Sequence, residues 1–222
     1  MISCAMRRLF CSRDFVVLRR GLRLMPWSLG LLLGSCATIP PEQPQNLCRV
    51  FDQNPNWYRE AKGAERRRGT PIHVSMAIME KESGYRANAR TKRTYLLGVI
   101  PWGHVTTAYG YAQVKDETWD WYRERTGRHG ARRNDFGDAV DFIAWHATEA
   151  NRTLGIPLGD AYRQYLAYHE GLGGYRRGTY RSQSWLLRRA EAVRSESLLY
   201  ARQIKSCEAK FTRGWLWWLW PF

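Results

Sequence analysis

No run of about 20 consecutive apolar residues occurs anywhere in the 222-residue chain, so no segment is long enough to cross a bilayer as a helix. Cysteine is scarce, five in all, and no Cys or His spacing matches a zinc site. His169-Glu170 has no second His one turn further on, which excludes a metalloprotease helix. No metal ligand set is therefore expected. Acidic residues are outnumbered 20 to 35 by Lys and Arg, a net charge of +15 that draws the chain toward anionic polymers or anionic membrane faces. The basic residues are scattered through helical segments, without finger spacing or an RNA-binding sheet signature, so nucleic acid is not the expected partner. There is no internal repeat. What is present, 44% hydrophobic and 25% charged residues, is an ordinary globular balance for one domain plus targeting sequence.

From Arg19 a basic segment leads into an apolar stretch, Leu24 to Leu33, that ends at small residues, the pattern of a secretion signal. Leu33-Gly34-Ser35-Cys36 resembles the lipobox of bacterial lipoproteins, in which the Cys becomes the lipidated N-terminus. Residues 1–36 are thus expected to be a signal peptide, residues 1–18 reading as an over-extended start. Their removal takes six Arg and one Asp, leaving 29 basic against 19 acidic residues, +10. The basic character belongs to the mature chain. Of the cysteines after Cys36 only Cys48 and Cys207 remain, one near each end, in a compartment where disulfides persist. They are expected to pair.

Residues 37–50, rich in Pro and Gln at their start, read as a tether, and residues 51–210 as one mostly helical domain. Asn54-Pro55 opens a helix that stops near Gly69. Thr70-Pro71 opens a second, running through Glu82 to Gly84. Asn134 caps a third, whose Phe136, Val140, Ile143, Ala144 and Ala147 share one face before Gly155 ends it. A short helix over Asp160–His169 is expected to end at the turn Gly171-Leu-Gly-Gly, and a long one to run from Ser184 to Lys210. The one strand signal is a hairpin within Thr94–Val105. The fold class is all-α with a minor β-hairpin. Trp119, Trp121, Trp145 and Trp185 are read as core.

Val74, Ile78 and Glu82 are spaced by four, so a carboxylate points along an apolar helix face. A carboxyl flanked by apolar groups resists ionisation and stays protonated nearer neutral pH, as a general acid must. Around it, Glu82-Ser83-Gly84-Tyr85-Arg86-Ala87-Asn88-Ala89 resembles the Glu-Ser-x-aromatic-x-Pro-x-Ala motif of lytic transglycosylases of the soluble (SLT) type, in the lysozyme-like superfamily. Gly110-Tyr111-Ala112-Gln113 resembles their Gly-Leu-Met-Gln motif, and Ala167-Tyr168-His169-Glu170-Gly171 their Ala-Tyr-Asn-x-Gly motif. The three stand in the family's order and cover about residues 54–180.

The resemblance implies a lysozyme-like domain that cuts the glycan strands of peptidoglycan, whose carboxylates also suit a basic protein. It implies Glu82 as the acid and base, and Tyr168 as the residue that orients and hydrogen-bonds it. Ser83, Tyr85, Gly110, Tyr111, Gln113, Ala167 and His169 would bind the substrate, and no cofactor is implied. One carboxylate suffices if Glu82 protonates the glycosidic oxygen between N-acetylmuramic acid and N-acetylglucosamine, the acetamido group steadies the cation, and Glu82 then deprotonates the C6 hydroxyl. The product would be a 1,6-anhydro sugar. A hydrolysing muramidase on the same fold would need a further acid, Glu149 or Glu170, to direct water. A non-catalytic peptidoglycan-binding lipoprotein is the alternative from another class. The sequence departs from the family pattern at Ala87, at Tyr111-Ala112 and at His169. The connection Ala89–Tyr109 is longer than usual, and its Tyr95 and Trp102 are candidates for an extra cleft wall or a small packing cluster.

Residues 211–222 form a tail in which Trp215, Trp217, Trp218 and Trp220 suit a membrane interface beside the lipid anchor. The expected location is the periplasm, with the chain anchored to the outer membrane.

Overall fold

A computed structural model describes residues 39–96 and 99–212. The expected signal peptide, Cys36 and the tail tryptophans lie outside the described residues, as do the side chains of Tyr95 and Trp102. Among the described residues seven helices and one hairpin follow in the order α1 (Leu47–Gln53), α2 (Pro55–Arg68), α3 (Ile72–Ser83), β1 (Arg93–Leu96), β2 (Ile100–His104), α4 (Asp116–Thr126), α5 (Phe136–Leu154), α6 (Ala161–Arg177), a 3-10 turn (Thr179–Ser182) and α7 (Ser184–Thr212). Among the described residues no helix is long and apolar enough to cross a membrane.

Helix α5 is the central rod. Its Phe136, Val140, Ile143, Ala144 and Ala147 are all buried, and it packs against α2, α3, α4 and α6. At its start the side chain of Asp135, not Asn134, accepts the Asp138 amide at 3.0 Å, and Gly155 closes it in the left-handed conformation. Helix α3 begins at Ile72 with Pro71 before it, and Thr70 does not cap it. The Thr70 hydroxyl donates instead to the Ala144 carbonyl at 3.0 Å, fastening the α2–α3 corner to α5. The buried Asp141 of α5 accepts from Arg67, Arg68 and the Tyr122 hydroxyl at 2.8–2.9 Å, which joins α2, α4 and α5 around one compensated charge.

Two expectations about segment ends are corrected. The turn at Gly171 does not end the helix. Gly171 takes φ 71° and ψ 162°, a kink in α6, and the chain re-enters helix to Arg177. Nor is the segment before residue 51 a free tether, because α1 starts at Leu47 and the chain is bound to α7 from Pro44 on. Tyr200 donates to the Pro44 carbonyl, Gln203 Nε2 to the Gln45 carbonyl at 3.1 Å, and the Leu47 amide to Gln203 Oε1 at 2.8 Å. At the other end α7 continues past Lys210, and Phe211 packs edge-on to Phe51 with ring centroids 5.7 Å apart.

The hairpin pairs Arg93 with His104 and Leu96 with Ile100, with a register shift between Thr94 and Tyr95. Isolated bridges from Tyr109 to Arg90 and to Val114 carry it down to the turn that follows. There two guanidinium groups stand over the Tyr109 ring, Arg90 at 4.3 Å and Arg133 at 5.4 Å from its centroid.

A Cys48–Cys207 disulfide joins α1 to α7 across 159 residues of sequence. Closing so long a loop removes much of the unfolded chain's freedom, and a Cys48→Ala/Cys207→Ala variant is expected to lose about 2–5 kcal/mol in denaturant unfolding. An unchanged midpoint would show that the α1–α7 hydrogen bonds hold the two ends without the cross-link.

Candidate active site

Glu82 sits in the last turn of α3, a poor place for an anion because the carbonyl end of a helix carries partial negative charge. Its Oε1 is shielded from solvent and has no hydrogen-bond partner. Burial pushes the carboxyl above the ordinary carboxylate range. The Tyr165 hydroxyl, and after it the neighbouring Arg189, His169 and Lys81, pull part of that shift back. Tyr165 is itself held by Arg189, whose Nε donates to the tyrosine oxygen at 2.7 Å. With its oxygen accepting from Arg189, the Tyr165 O–H is free to point at the carboxyl.

The tyrosine that acts most on the Glu82 carboxyl is thus Tyr165, one helical turn before the residue expected. The Tyr168 hydroxyl donates to the Ala112 carbonyl at 2.5 Å instead. Tyr168 remains close enough for the Glu82 charge, after burial, to keep its hydroxyl well above the usual phenol range. Its contact with Ala112 ties α6 to the turn Gly110–Gln113.

That turn is built from backbone constraints. Gly110 has φ +80°, and a Cβ there would stand 2.1 Å from the Arg133 carbonyl oxygen. Gln113 has φ 48°, and its side-chain amide donates to the Ala89 and Gly110 carbonyls at 2.9 and 2.8 Å. One glutamine therefore closes the turn onto the segment that follows α3. Beside it a cavity of about 220 Å³ is lined in part by Gln113, Lys115, His146, Tyr168, Glu170 and Gly171. His146 is 4% exposed and packs edge-on to Tyr168 with centroids 5.1 Å apart. Burial lowers its pKa to about 4, so it is a neutral ring at physiological pH.

Four residues expected to bind substrate have their side chains committed elsewhere. Ser83 is 1% exposed and donates to the Met79 carbonyl at 3.2 Å. The fully buried Tyr85 donates to the Met76 carbonyl, and Tyr111 packs edge-on to Trp57 and Phe136, which are themselves stacked 4.2 Å apart. Ala167 packs with Ala150 and Ile156. All four side chains are buried in the packing of the domain. The converse correction applies to Trp185, expected in the core. It is 47% exposed, its ring edge-on to His169 with centroids 5.1 Å apart.

Neither further carboxylate is as free as Glu82. Glu149 Oε2 accepts from Arg152 at 2.7 Å. Glu170 takes Gln183 and His169 on Oε1 and Thr179 on Oε2; burial opposes its ionisation, but these donors outweigh it and hold the carboxylate below its usual range. Tyr165, Arg189 and His146 were not among the residues expected at the site. The i, i+3, i+4 spacing of Tyr165, Tyr168 and His169 was the available signal for the first; for the other two, contributed by helices distant in sequence, there was none.

A family model described as Transglycosylase SLT domain matches residues 24–207. No curated protein and no solved structure matches the chain significantly.

Gly110→Ala is expected to cost roughly 2–4 kcal/mol in chemical denaturation, since it combines an unfavourable φ with a backbone clash. A loss below about 0.5 kcal/mol, the scale of a neutral surface change, would mean that the turn opens without effect on the fold.

Proposed function

The chain belongs to the transglycosylase SLT domain family, and we propose that it cuts peptidoglycan between N-acetylmuramic acid and N-acetylglucosamine with a 1,6-anhydro product. The observation that carries this reading is the environment of Glu82. A shielded oxygen at a helix carbonyl end favours the protonated acid, while Tyr165 and Arg189 stand ready for the anion left when the proton has gone.

Glu82 first gives its proton to the glycosidic oxygen as the C1–O bond breaks, and the substrate's acetamido oxygen shares the positive charge at C1. The C6 hydroxyl of the same muramic residue then bonds to C1, and its proton returns to Glu82. No water is consumed and no second enzymic carboxylate is needed. The engagement of Glu149 and Glu170 by their own neighbours supports this over a water-directing mechanism. Tyr168 and Gln113 brace the turn Gly110–Gln113 from α6 and from within, and His169 lies exposed on α6 beside Trp185. His169 and the half-exposed Trp185 suit the edge of a saccharide site. The chain is further proposed to be exported and lipid-anchored through Cys36 to the outer membrane, with the Trp-rich tail resting at the interface.

Glu82→Gln is expected to lower anhydromuropeptide release from purified sacculi by about 10²–10⁴-fold, read by mass spectrometry. Reducing-end products from the unaltered chain would point to hydrolysis, and binding without cleavage to a non-catalytic role. The same variant tests the electrostatics without turnover. A carboxyl whose folded pKa is raised favours the fold fully below its unfolded pKa, about 4.3, and that contribution is lost as pH rises through the folded value. Glu82→Gln should therefore melt at or above the unaltered chain at pH 7, and the gap should close below about pH 4. A variant that melts lower at pH 7 than at pH 4, relative to the unaltered chain, contradicts a buried acid.

Cys36→Ala is expected to move the mature protein from the membrane fraction to the soluble fraction on cell fractionation. Unchanged membrane association would remove the lipid from the proposal.

A further inference from the structure

We propose that Arg189 is a positioning residue for Glu82, fixing the carboxyl from α7 through the Tyr165 hydroxyl and the backbone of α3. The inference rests on the reading of Glu82 as proton donor and extends it to a third helix. Arg189 Nε donates to Tyr165 Oη at 2.7 Å, and Nη2 donates to the Lys81 carbonyl at 2.6 Å. One planar guanidinium thus grips both the tyrosine that acts on Glu82 and the residue that precedes Glu82 in the chain. Lys81 lies in the last turn of α3, where helix carbonyls lack an intrahelical partner. A rigid fork with two well-separated donors fits this pair of acceptors; a lysine, with a single point charge, does not.

The arrangement has two consequences for the acid. Geometrically, the spacing between the end of α3 and the Tyr165 turn of α6 is set by one side chain from α7. Electrostatically, Arg189 orients the tyrosine proton toward Glu82 and places a cation behind it. The groups that face Glu82 are Lys81 on its own helix, Tyr165, Tyr168 and His169 on α6, and Arg189 on α7. The α7 cation offsets part of what burial does to the carboxyl, which keeps the residue acidic enough to release its proton and basic enough to take it back.

The test combines turnover and titration on the full chain. Arg189→Met is expected to lower kcat on purified peptidoglycan about 10- to 100-fold, the scale of a small misplacement of a catalytic group, with KM within about twofold. The alkaline limb of its kcat/KM profile should move to higher pH, because removing a cation leaves burial less opposed. The Glu82 carboxyl midpoint, followed by carbon NMR, should move the same way. Arg189→Lys should keep the limb near its original pH and recover only part of kcat. Adding Arg189→Met to Tyr165→Phe should cost little more than Tyr165→Phe alone, since the two act on one chain of contacts. Parallel measurements on His169→Asn separate the titration of the imidazole. An unmoved midpoint with unchanged kcat overturns the proposal, and so does a raised KM with kcat retained, which would place Arg189 on the substrate. A midpoint that moves in a protein without turnover would uphold the positioning role and remove the catalytic reading instead.

Discussion

A carboxyl at the closing end of a helix, shielded on one oxygen and flanked by a tyrosine, is under tension from two directions, and the rest of the site is arranged around that tension. Burial and the helix dipole oppose a charge on Glu82, while Tyr165 and the nearby cations favour one. On the proposed mechanism Glu82 loses and regains a proton in one reaction cycle, and both influences serve it. Three helices meet at this carboxyl: α3 carries it, α6 supplies the tyrosine that acts on it, and α7 holds that tyrosine in place.

The remainder of the domain keeps those helices in register. Asp141, with three donors around it, fastens α2, α4 and α5 into one block. Helix α7 is bound along its far half to the segment Pro44–Leu47 and by the Cys48–Cys207 bridge, so the helix carrying Arg189 is anchored well away from the site it serves. The turn Gly110–Gln113 completes the wall through the contact of Tyr168 with Ala112, and the glycine is required there because no Cβ fits against Arg133.

The motifs of this family divide into two kinds when their side chains are followed. Glu82 is a shielded carboxyl at the end of α3 and Gln113 locks its own turn and lines the cavity beside it, whereas Ser83, Tyr85, Tyr111 and Ala167 pack inward. Substitution of Tyr111 where the family has Leu is absorbed by an aromatic cluster with Trp57 and Phe136. His169 in place of Asn stands against an exposed tryptophan, so this departure lies on the open side of the site.

Local pattern in the sequence determined the all-α lysozyme-like class, the ends of α2 and α5 at Gly69 and Gly155, the hairpin and the apolar helix face that carries Glu82, because helix periodicity, capping and a short contiguous motif are properties of neighbouring residues. The helix after Gly171 escaped that reading because a glycine signals a break without saying whether helix resumes. Only the tertiary structure decided that Tyr165, not Tyr168, meets Glu82, that Arg189 stands behind it, and that Trp185 is open to solvent. Those outcomes depend on how α3, α6 and α7 rotate about one another, and rotation is set by the packing of every side chain between them, which no local pattern records.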